Sequence, residues 1–368
     1  MPLIRDVIAI MEEEFPPLWA EEWDHSGFQV GDADRECTGV LIAVEATEAT
    51  VQECVEKGCN LLITHHPILF HPLYRLTPHT YQERTVSLAI RENVVIYTAH
   101  TNADNAFGGL NRQLLDSLDL PYGSLEPLEE KKGALSKLSI MVPTENKEAL
   151  KEALFAAGAG HVGAYEACAF TISGEGQFRP LDGADPYIGD VGEVCKVEEA
   201  CVSVLVPHER MSAVLSAMIK AHPYEEPAYD IIPLQNGRKD FSSGLIASLK
   251  GSLSEEDVLK RIALLPSVTS VAHSKPLDRP VQRIAIVTGS GGSFLNKAMA
   301  RGVDVLLTGE ARYNDYLDAQ GRILLVVIGH WESEQIAREL FQRVMKQKMP
   351  NFAFQIADSD NNPIHYRR

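Results

Sequence analysis

The sequence of 368 residues lacks the features that mark secreted, membrane-bound or nucleic-acid-binding proteins. No apolar run approaches membrane-spanning length, and residues 1–6 lack the basic and then apolar pattern of a signal peptide. Lysine and arginine number 34 against 51 aspartates and glutamates. The formal charge of -17 argues against a general nucleic-acid binder, because phosphate repulsion would go uncompensated. We therefore expect neither a membrane nor a nucleic acid as a partner.

Cysteine is scarce and scattered along the chain. The six residues form no C-x-x-C pair: Cys37, Cys54, Cys59, Cys168, Cys195 and Cys201. This spacing argues against a zinc ribbon and against a disulfide framework. It indicates reduced thiols, which predicts a cytoplasmic protein.

Short apolar runs alternate with helical patterns in the first third of the chain. Predicted strands at 40–44, 61–64 and 94–99 are separated by predicted helices at 47–57 and 84–92. Thr47 is the expected N-cap and Gly58 the expected stop of the first of these helices. This order predicts an α/β fold with a mainly parallel sheet and helices on its faces.

The middle of the chain carries its own internal repeat. Strand-like residues 140–143 recur at 204–207, and each copy is followed by a helical pattern, so that matching positions lie 64 residues apart. Two β-α-β halves in tandem predict a ferredoxin-like domain. Charged, Pro- and Gly-containing stretches on both sides suggest its boundaries. We therefore predict a core formed by residues 1–125 and 237–368, interrupted by an inserted domain at residues 126–236.

The outer segments also repeat each other. Residues 57–64 match 301–308 with an offset of 244, and the strand at 40–44 matches 284–288 at the same offset. The next strand pair, 96–100 and 326–330, matches at an offset of 230. The core is therefore expected to be a duplicated α/β unit.

Polar side chains follow several of the predicted strands. His65 and His66 stand directly before a proline that should end their strand. They could face one ion together if the backbone turns, or serve two ions, or be one core and one surface histidine. The repeat aligns His100-x-x-x-Asp104 with His330-x-x-x-Glu334, and it pairs His66 with Glu310. Such nitrogen and carboxylate ligands suit zinc, iron, manganese or nickel, and two ions that share a bridging carboxylate commonly activate water.

A glycine-rich turn, Thr288–Gly292, links a predicted strand to a predicted helix. Its amides could hold an anion at the helix N-terminus, although the turn fits neither the P-loop nor the dinucleotide pattern. The alternative is a tight turn that requires glycine. We predict Ser290, Gly291 and Glu310 as substrate-binding residues, with Glu45 as a further residue lining the cleft.

Together these motifs resemble the NIF-three-like dinuclear-metal-centre family, whose members are often labelled GTP cyclohydrolase 1 type 2 homologues. The motifs that carry the resemblance are E-W-D-x-x-G-x-Q-V-G from residue 22, I-T-H-H-P from residue 63, H-T-N-x-D from residue 100, T-G-E from residue 308 and G-H-x-x-S-E from residue 329. The resemblance implies two divalent metal ions per chain, with the ligands His65, His66, Asp104, His330 and Glu334. It also implies a toroidal homohexamer and a middle domain similar to the nitrogen-regulatory PII and CutA proteins. The chain departs from the family where it has Glu45 instead of Asp, and where it has Asn314 instead of a histidine.

Three functions are compatible with these observations. The first is a metal-dependent hydrolase that acts on a nucleotide or another phosphorylated or ring-bearing small molecule. The second is a non-enzymatic protein that binds or delivers metal. The third is a regulatory scaffold whose inserted domain senses a small molecule.

Overall fold

The computed structural model describes residues 1–132, 134–365 and 367. The strands of this part of the chain are β1 (Gly27–Val30), β2 (Val40–Ala43), β3 (Leu61–Thr64), β4 (Val95–Thr98), β5 (Tyr122–Lys131), β6 (Leu135–Pro143), β7 (Ala169–Phe178), β8 (Cys195–Pro207), β9 (Tyr229–Pro233), β10 (Arg238–Leu253), β11 (Ala272–His273), β12 (Val281–Val287), β13 (Val305–Thr308), β14 (Leu324–Val327) and β15 (Phe354–Ile356). The helices are α1 (Ile4–Glu14), α2 (Glu48–Glu56), α3 (Tyr81–Arg91), α4 (Thr101–Asn105), α5 (Leu110–Ser117), α6 (Lys147–Ala156), α7 (Met211–Ala221), α8 (Glu255–Ala263), α9 (Leu295–Ala300), α10 (Tyr313–Ala319), α11 (His330–Glu334) and α12 (Ala337–Lys348).

The chain divides into two compact units. One comprises Met1–Glu130 and Asp240–Arg368, and the other comprises Lys131–Lys239. None of the helices among the described residues combines the length and hydrophobicity needed to cross a bilayer.

The larger unit contains two sheets, each with parallel strands at its centre. The first has the strand order β1-β4-β3-β2-β15, in which only β1 is antiparallel to its neighbour. The second has the order β11-β14-β13-β12-β10-β5, with β12, β13 and β14 parallel. The central strands are buried from end to end, as expected for parallel strands covered on both faces. The predicted duplicated α/β fold with mainly parallel sheets is confirmed.

Caps and turns set the ends of the elements around these strands. The Thr47 side chain accepts a hydrogen bond from the amide of Thr50 at the start of α2, and Gly58 has the left-handed φ of 69° just beyond its end. The spacing of apolar residues over 332–346 predicts a single C-terminal helix, whereas the structure has two helices, α11 and α12, with a break at Gln335 and Ile336. The sequence predicts a helix over 294–300, and in the structure α9 begins one residue later, after a 3-10 turn over Gly291–Phe294.

The two sheets are related by the predicted repeat, with one local difference. Leu61 lies beside Val95 in the first sheet, and Val305 lies beside Leu324 in the second. The third strands are therefore offset by 229 residues, whereas the histidines that follow them are offset by 230. The second half has one extra residue at this strand end. Gly329 lies there with a φ of 104°, in the region that favours glycine.

The C-terminal segment is held to the first sheet by two carboxylates. Glu53 accepts hydrogen bonds from Asp358 and Ser359 and pairs with Lys57 at 2.6 Å. Burial opposes its ionisation, but the hydrogen bonds from Lys57 and Ser359 lower the pKa of Glu53 to about 2. Asp360, buried beyond the end of β2, accepts from the amide of Val44 at 2.6 Å. These contacts fix the strand end that leads into Glu45.

The smaller unit is a four-stranded antiparallel sheet with the order β7-β8-β6-β9. Its hydrophobic core is formed by one sheet face and by residues of α6 and α7, and all of this core lies within the unit. Ser139 and Ser203, which occupy equivalent positions of the internal repeat, lie directly opposite each other in β6 and β8. Their hydroxyls are 2.9 Å apart.

Candidate metal centre

Both histidines after β3 face the same side because the strand end is held in a turn. The Thr64 hydroxyl donates to the carbonyl of His66 at 2.9 Å and lies 2.8 Å from the Thr98 hydroxyl on β4. The amides of His65 and His66 still donate to carbonyls at the end of β2. The centroids of the two imidazole rings are consequently only 5.0 Å apart. The turn that the sequence suggested before Pro67 is present.

His65 has a buried nitrogen that lacks a hydrogen-bond partner. The ring is completely buried, and its Nδ1 lies 2.9 Å from the carbonyl of Ala99, to which it must donate. Its Nε2 faces carboxylate oxygens of Asp104 at 3.8 Å and Glu334 at 3.7 Å, too far for hydrogen bonds. Buried polar atoms are seldom left unpaired, so this gap between a nitrogen and two carboxylates fits a cation.

Glu334 is shared by two groups of potential ligands. Its Oε2 lies 2.9 Å from Nε2 of both His66 and His330, while its Oε1 points towards His65. The ligand atoms of His66, His330 and Glu334 lie within 4.8 Å of one another, and so do those of His65, Asp104 and Glu334. Nitrogen and carboxylate donors in this number suit a divalent transition-metal ion. The five residues predicted as ligands are thus brought together, as two groups with one common member.

The histidines of this cluster compensate the negative charge of its carboxylates. Burial opposes ionisation of Glu334, but hydrogen bonds from His330 and His66 outweigh it, so the pKa of this carboxyl lies well below its ordinary value. Burial raises the pKa of Asp104, against the opposing effect of nearby His65. The glutamate is therefore the ionised centre of the cluster.

Outer contacts orient the side chains that meet at the centre. Nδ1 of His66 lies 2.6 Å from Glu45, and Nδ1 of His330 lies 3.4 Å from Glu310. The Thr288 hydroxyl donates to Asp104 at 2.8 Å. Partners of this kind fix the tautomer and orientation of metal-binding histidines. Glu45 and Glu310, both singled out from the sequence, lie one contact away from the predicted ligands.

A fourth histidine belongs to the same cluster but was not among the predicted ligands. The ligand atoms of His100, His65 and His66 also lie within 4.8 Å of one another. Nδ1 of His100 lies 2.6 Å from a buried oxygen of Asp24. Burial opposes ionisation of Asp24, but the hydrogen bond and charge of His100 lower its pKa well below the ordinary range. The alignment of His100 with His330 was the available signal, and it did not show that His100 contacts an aspartate 76 residues earlier.

An open cavity of about 760 Å³ adjoins His330. Ser290 and Glu310 line it, and the serine hydroxyl donates to the glutamate at 2.6 Å. Burial opposes ionisation of Glu310, but the Ser290 hydrogen bond and the neighbouring His330 lower its pKa. The amide of Gly291 donates to the Thr308 hydroxyl and that of Gly292 to a carbonyl. The amides of the glycines in this turn are thus already bonded, and Ser290 supplies its one exposed side chain.

Comparison with known proteins places this geometry in a wider group. A family model described as Duf34/NIF3 (NGG1p interacting factor 3) matches residues 2–363. A protein of Bacillus subtilis called "GTP cyclohydrolase 1 type 2 homolog" is 33% identical over 368 residues, which cover 98% of each chain. A protein of Mycobacterium leprae with the same name is 37% identical over 336 residues, covering 90% of this chain and 86% of its own.

Solved structures agree with the sequence comparisons. A Bacillus cereus protein related to NIF3 superposes with a TM-score of 0.85 at 30% identity, over 100% of this chain and 99% of its own. The Staphylococcus aureus protein SA1388 superposes with a TM-score of 0.74 at 24% identity, over 100% of this chain and 99% of its own. This second similarity is evidence for the fold only.

Proposed function

This chain belongs to the Duf34/NIF3 family, and from that premise and the strand-end cluster we propose that it is a metal-dependent hydrolase of a nucleotide or another phosphorylated small molecule. The observation that carries the proposal is the buried Nε2 of His65, which lies unpaired between two carboxylates. One ion would be held by His65, Asp104 and Glu334, and a second by His66, His330 and Glu334. Divalent ions so held supply Lewis acidity and a water-derived nucleophile at neutral pH.

The chain's own residues prepare the site for these ions. Ala99 fixes the tautomer of His65, and Glu45 fixes the ring of His66 by a short hydrogen bond. Because Glu334 is almost fully buried, it can hold charge only while cations or histidines compensate it. Zinc, iron, manganese and nickel all suit these nitrogen and oxygen donors, so we propose that the ions are one of these metals.

The surroundings of the cluster suit a small molecule with both polar and aromatic parts. Ser290, Gly291 and Glu310 are the proposed contacts on one side, of which Ser290 and Glu310 line the cavity beside His330. On another side, the exposed rings of Trp23 and Phe70 lie with their centroids 6.2 and 6.3 Å from the ring of His100. Exposed aromatic rings of this kind stack on planar bases. The bacterial relatives are called "GTP cyclohydrolase 1 type 2 homolog", a name that refers to a nucleotide.

The proposal is tested with protein reconstituted with each of the four metals and screened against nucleotides and phosphoesters. His65→Ala and His330→Ala each remove one donor, whereas His79→Ala removes an exposed histidine outside the cluster and serves as the matched control. We expect turnover to fall by about 100-fold or more in the first two variants and to stay unchanged in the third.

Two results would reject the hydrolase. Turnover that both substitutions leave unchanged would belong to a contaminant. Absence of turnover on every compound, with metal tightly bound, would instead favour metal storage or delivery, or a regulatory scaffold.

Three further properties belong to the same proposal. A toroidal homohexamer is proposed from the family resemblance. A ferredoxin-like, PII-like class for the smaller unit is supported by its strand order, with the first and third strands central. A cytoplasmic location is supported by six cysteines that are all free thiols.

A further inference from the structure

The smaller unit contains a cavity of about 390 Å³ that is separate from the candidate metal centre. Met141 of β6 and Glu199 of β8 line it, and both alternate with residues that pack against α6 and α7. The cavity therefore lies on the sheet face turned away from the helices. Its other walls are the connection between β7 and β8, residues 179–194, and the segment that precedes β9. Its volume falls in the range of small-molecule sites.

Three aromatic rings form one side of this cavity. The ring of Tyr224 lies 5.6 Å from that of Phe178 and 6.2 Å from that of Tyr187, measured between centroids, and the rings are inclined to one another. The connection that carries Tyr187 is held in place, because the amide of Asp185 donates to Glu225 at 3.0 Å. A cation is attracted to the negative face of an aromatic ring, so a wall that carries three rings suits a positively charged ligand.

A carboxylate without a basic partner faces the same space. Glu199 accepts a hydrogen bond from the Tyr224 hydroxyl at 2.9 Å. In the described part of the chain, no lysine or arginine lies within ion-pair distance of it. Gly176 makes room for the carboxylate, because a Cβ at that position would overlap the Glu199 carboxylate. A half-buried carboxylate that is bonded only to a neutral phenol still has capacity for a positive charge.

The remaining charged residues of the cavity also favour a positively charged ligand. Glu225 and Glu226 also line it, and Arg179 is the one basic residue among its described lining residues. Three acidic groups against one basic group disfavour a phosphate or carboxylate ligand. We propose that this cavity binds a small organic cation, an amine or quaternary ammonium compound, with its charge between Glu199 and the rings of Phe178, Tyr187 and Tyr224.

Choline and its uncharged isostere 3,3-dimethylbutan-1-ol are suitable probes, because they share shape and hydroxyl group and differ in charge. Isothermal titration calorimetry of the full-length chain should give about tenfold tighter binding of choline than of the alcohol. Glu199→Gln should weaken choline binding by about tenfold, and Tyr187→Leu should also weaken it. Tyr187 is half exposed, so its loss leaves the core intact.

Glu175→Gln is the matched control. Glu175 is exposed on β7, pairs with Lys196 at 2.7 Å and does not line the cavity. We expect it to leave choline binding within about twofold of wild type. Equal affinity for choline and the alcohol would overturn the proposal, as would equal losses in the two glutamine variants. Absence of binding at about 10 mM choline would overturn it as well.

Discussion

Replacing Glu334 by glutamine tests whether one residue serves two ions. The substitution keeps the size of the side chain but removes the charge that faces His65 on one oxygen and His66 and His330 on the other. Each group of three donors then loses its common anionic member, so affinity should fall by at least about 100-fold at both positions. Asp104→Asn removes a carboxylate from only one group. We therefore expect about two ions per wild-type chain, about one in Asp104→Asn and almost none in Glu334→Gln.

The measurement is elemental analysis after incubation with excess metal and desalting. Glu48→Gln is the control, because Glu48 pairs with Arg84 at 2.7 Å and belongs to none of the groups of potential ligands. Its metal content should equal that of wild type. The reasoning fails if Glu334→Gln keeps either ion at the wild-type level, or if Asp104→Asn loses both ions as completely as Glu334→Gln does.

Four further predictions concern stability, autonomy and assembly. Gly329→Ala should lower the free energy of unfolding, measured by urea denaturation, by about 2–3 kcal/mol, because a Cβ there is strained and meets the buried Glu332. Gly321→Ala, with open space around it, should lower it by about 1 kcal/mol. Equal losses in the two variants would contradict this. Glu53→Gln should lower the free energy of unfolding by about 2 kcal/mol at pH 7. Because the pKa of Glu53 in the folded state lies below its unfolded value near 4.3, this difference in stability should shrink as the pH falls from about 4 to 2. A difference that stays constant over this range would exclude the ionised contact. A fragment of residues 134–234 should fold alone, with dispersed amide signals in NMR spectra, because the core of the smaller unit lies inside it; a collapsed spectrum would contradict this. Light scattering should give about six times the chain mass of 40.6 kDa, and a monomer at micromolar concentration would exclude the hexamer.

The central strands could be predicted because their signal is local. Residues 40–43, 61–64 and 95–98 are uncharged and mostly apolar, and burial on both faces imposes that pattern. The edge strands β1 and β15 have three or four residues each and owe their structure to a neighbouring strand, so they leave no comparable pattern. The break between α11 and α12 was missed for a similar reason, since the apolar spacing continues across it.

The site was predictable at the level of residue types and positions on the chain, but not at the level of contacts. The repeat aligned His100 with His330, but the extra residue at Gly329 gives the two histidines different surroundings. His100 lies before α4 and contacts Asp24, whereas His330 begins α11 and contacts Glu334. Histidines at equivalent sequence positions therefore have different contacts. Only the register of the strands shows that the two halves differ by one residue at this point.

The facing pair of Ser139 and Ser203 gives the smaller unit the character of a two-fold dimer contained in one chain. In an isologous interface, only a position on the axis meets its own copy, and here that position is filled by a serine and the equivalent serine 64 residues later. A hydroxyl suits this place, because it can donate or accept and is satisfied by another of its kind, whereas two like charges would repel. Covalent fusion keeps the partner always present, so the contact does not weaken on dilution as it would between separate chains. Fusion also lets the two copies change independently, so a larger residue at one of these positions can be matched by a smaller one at the other.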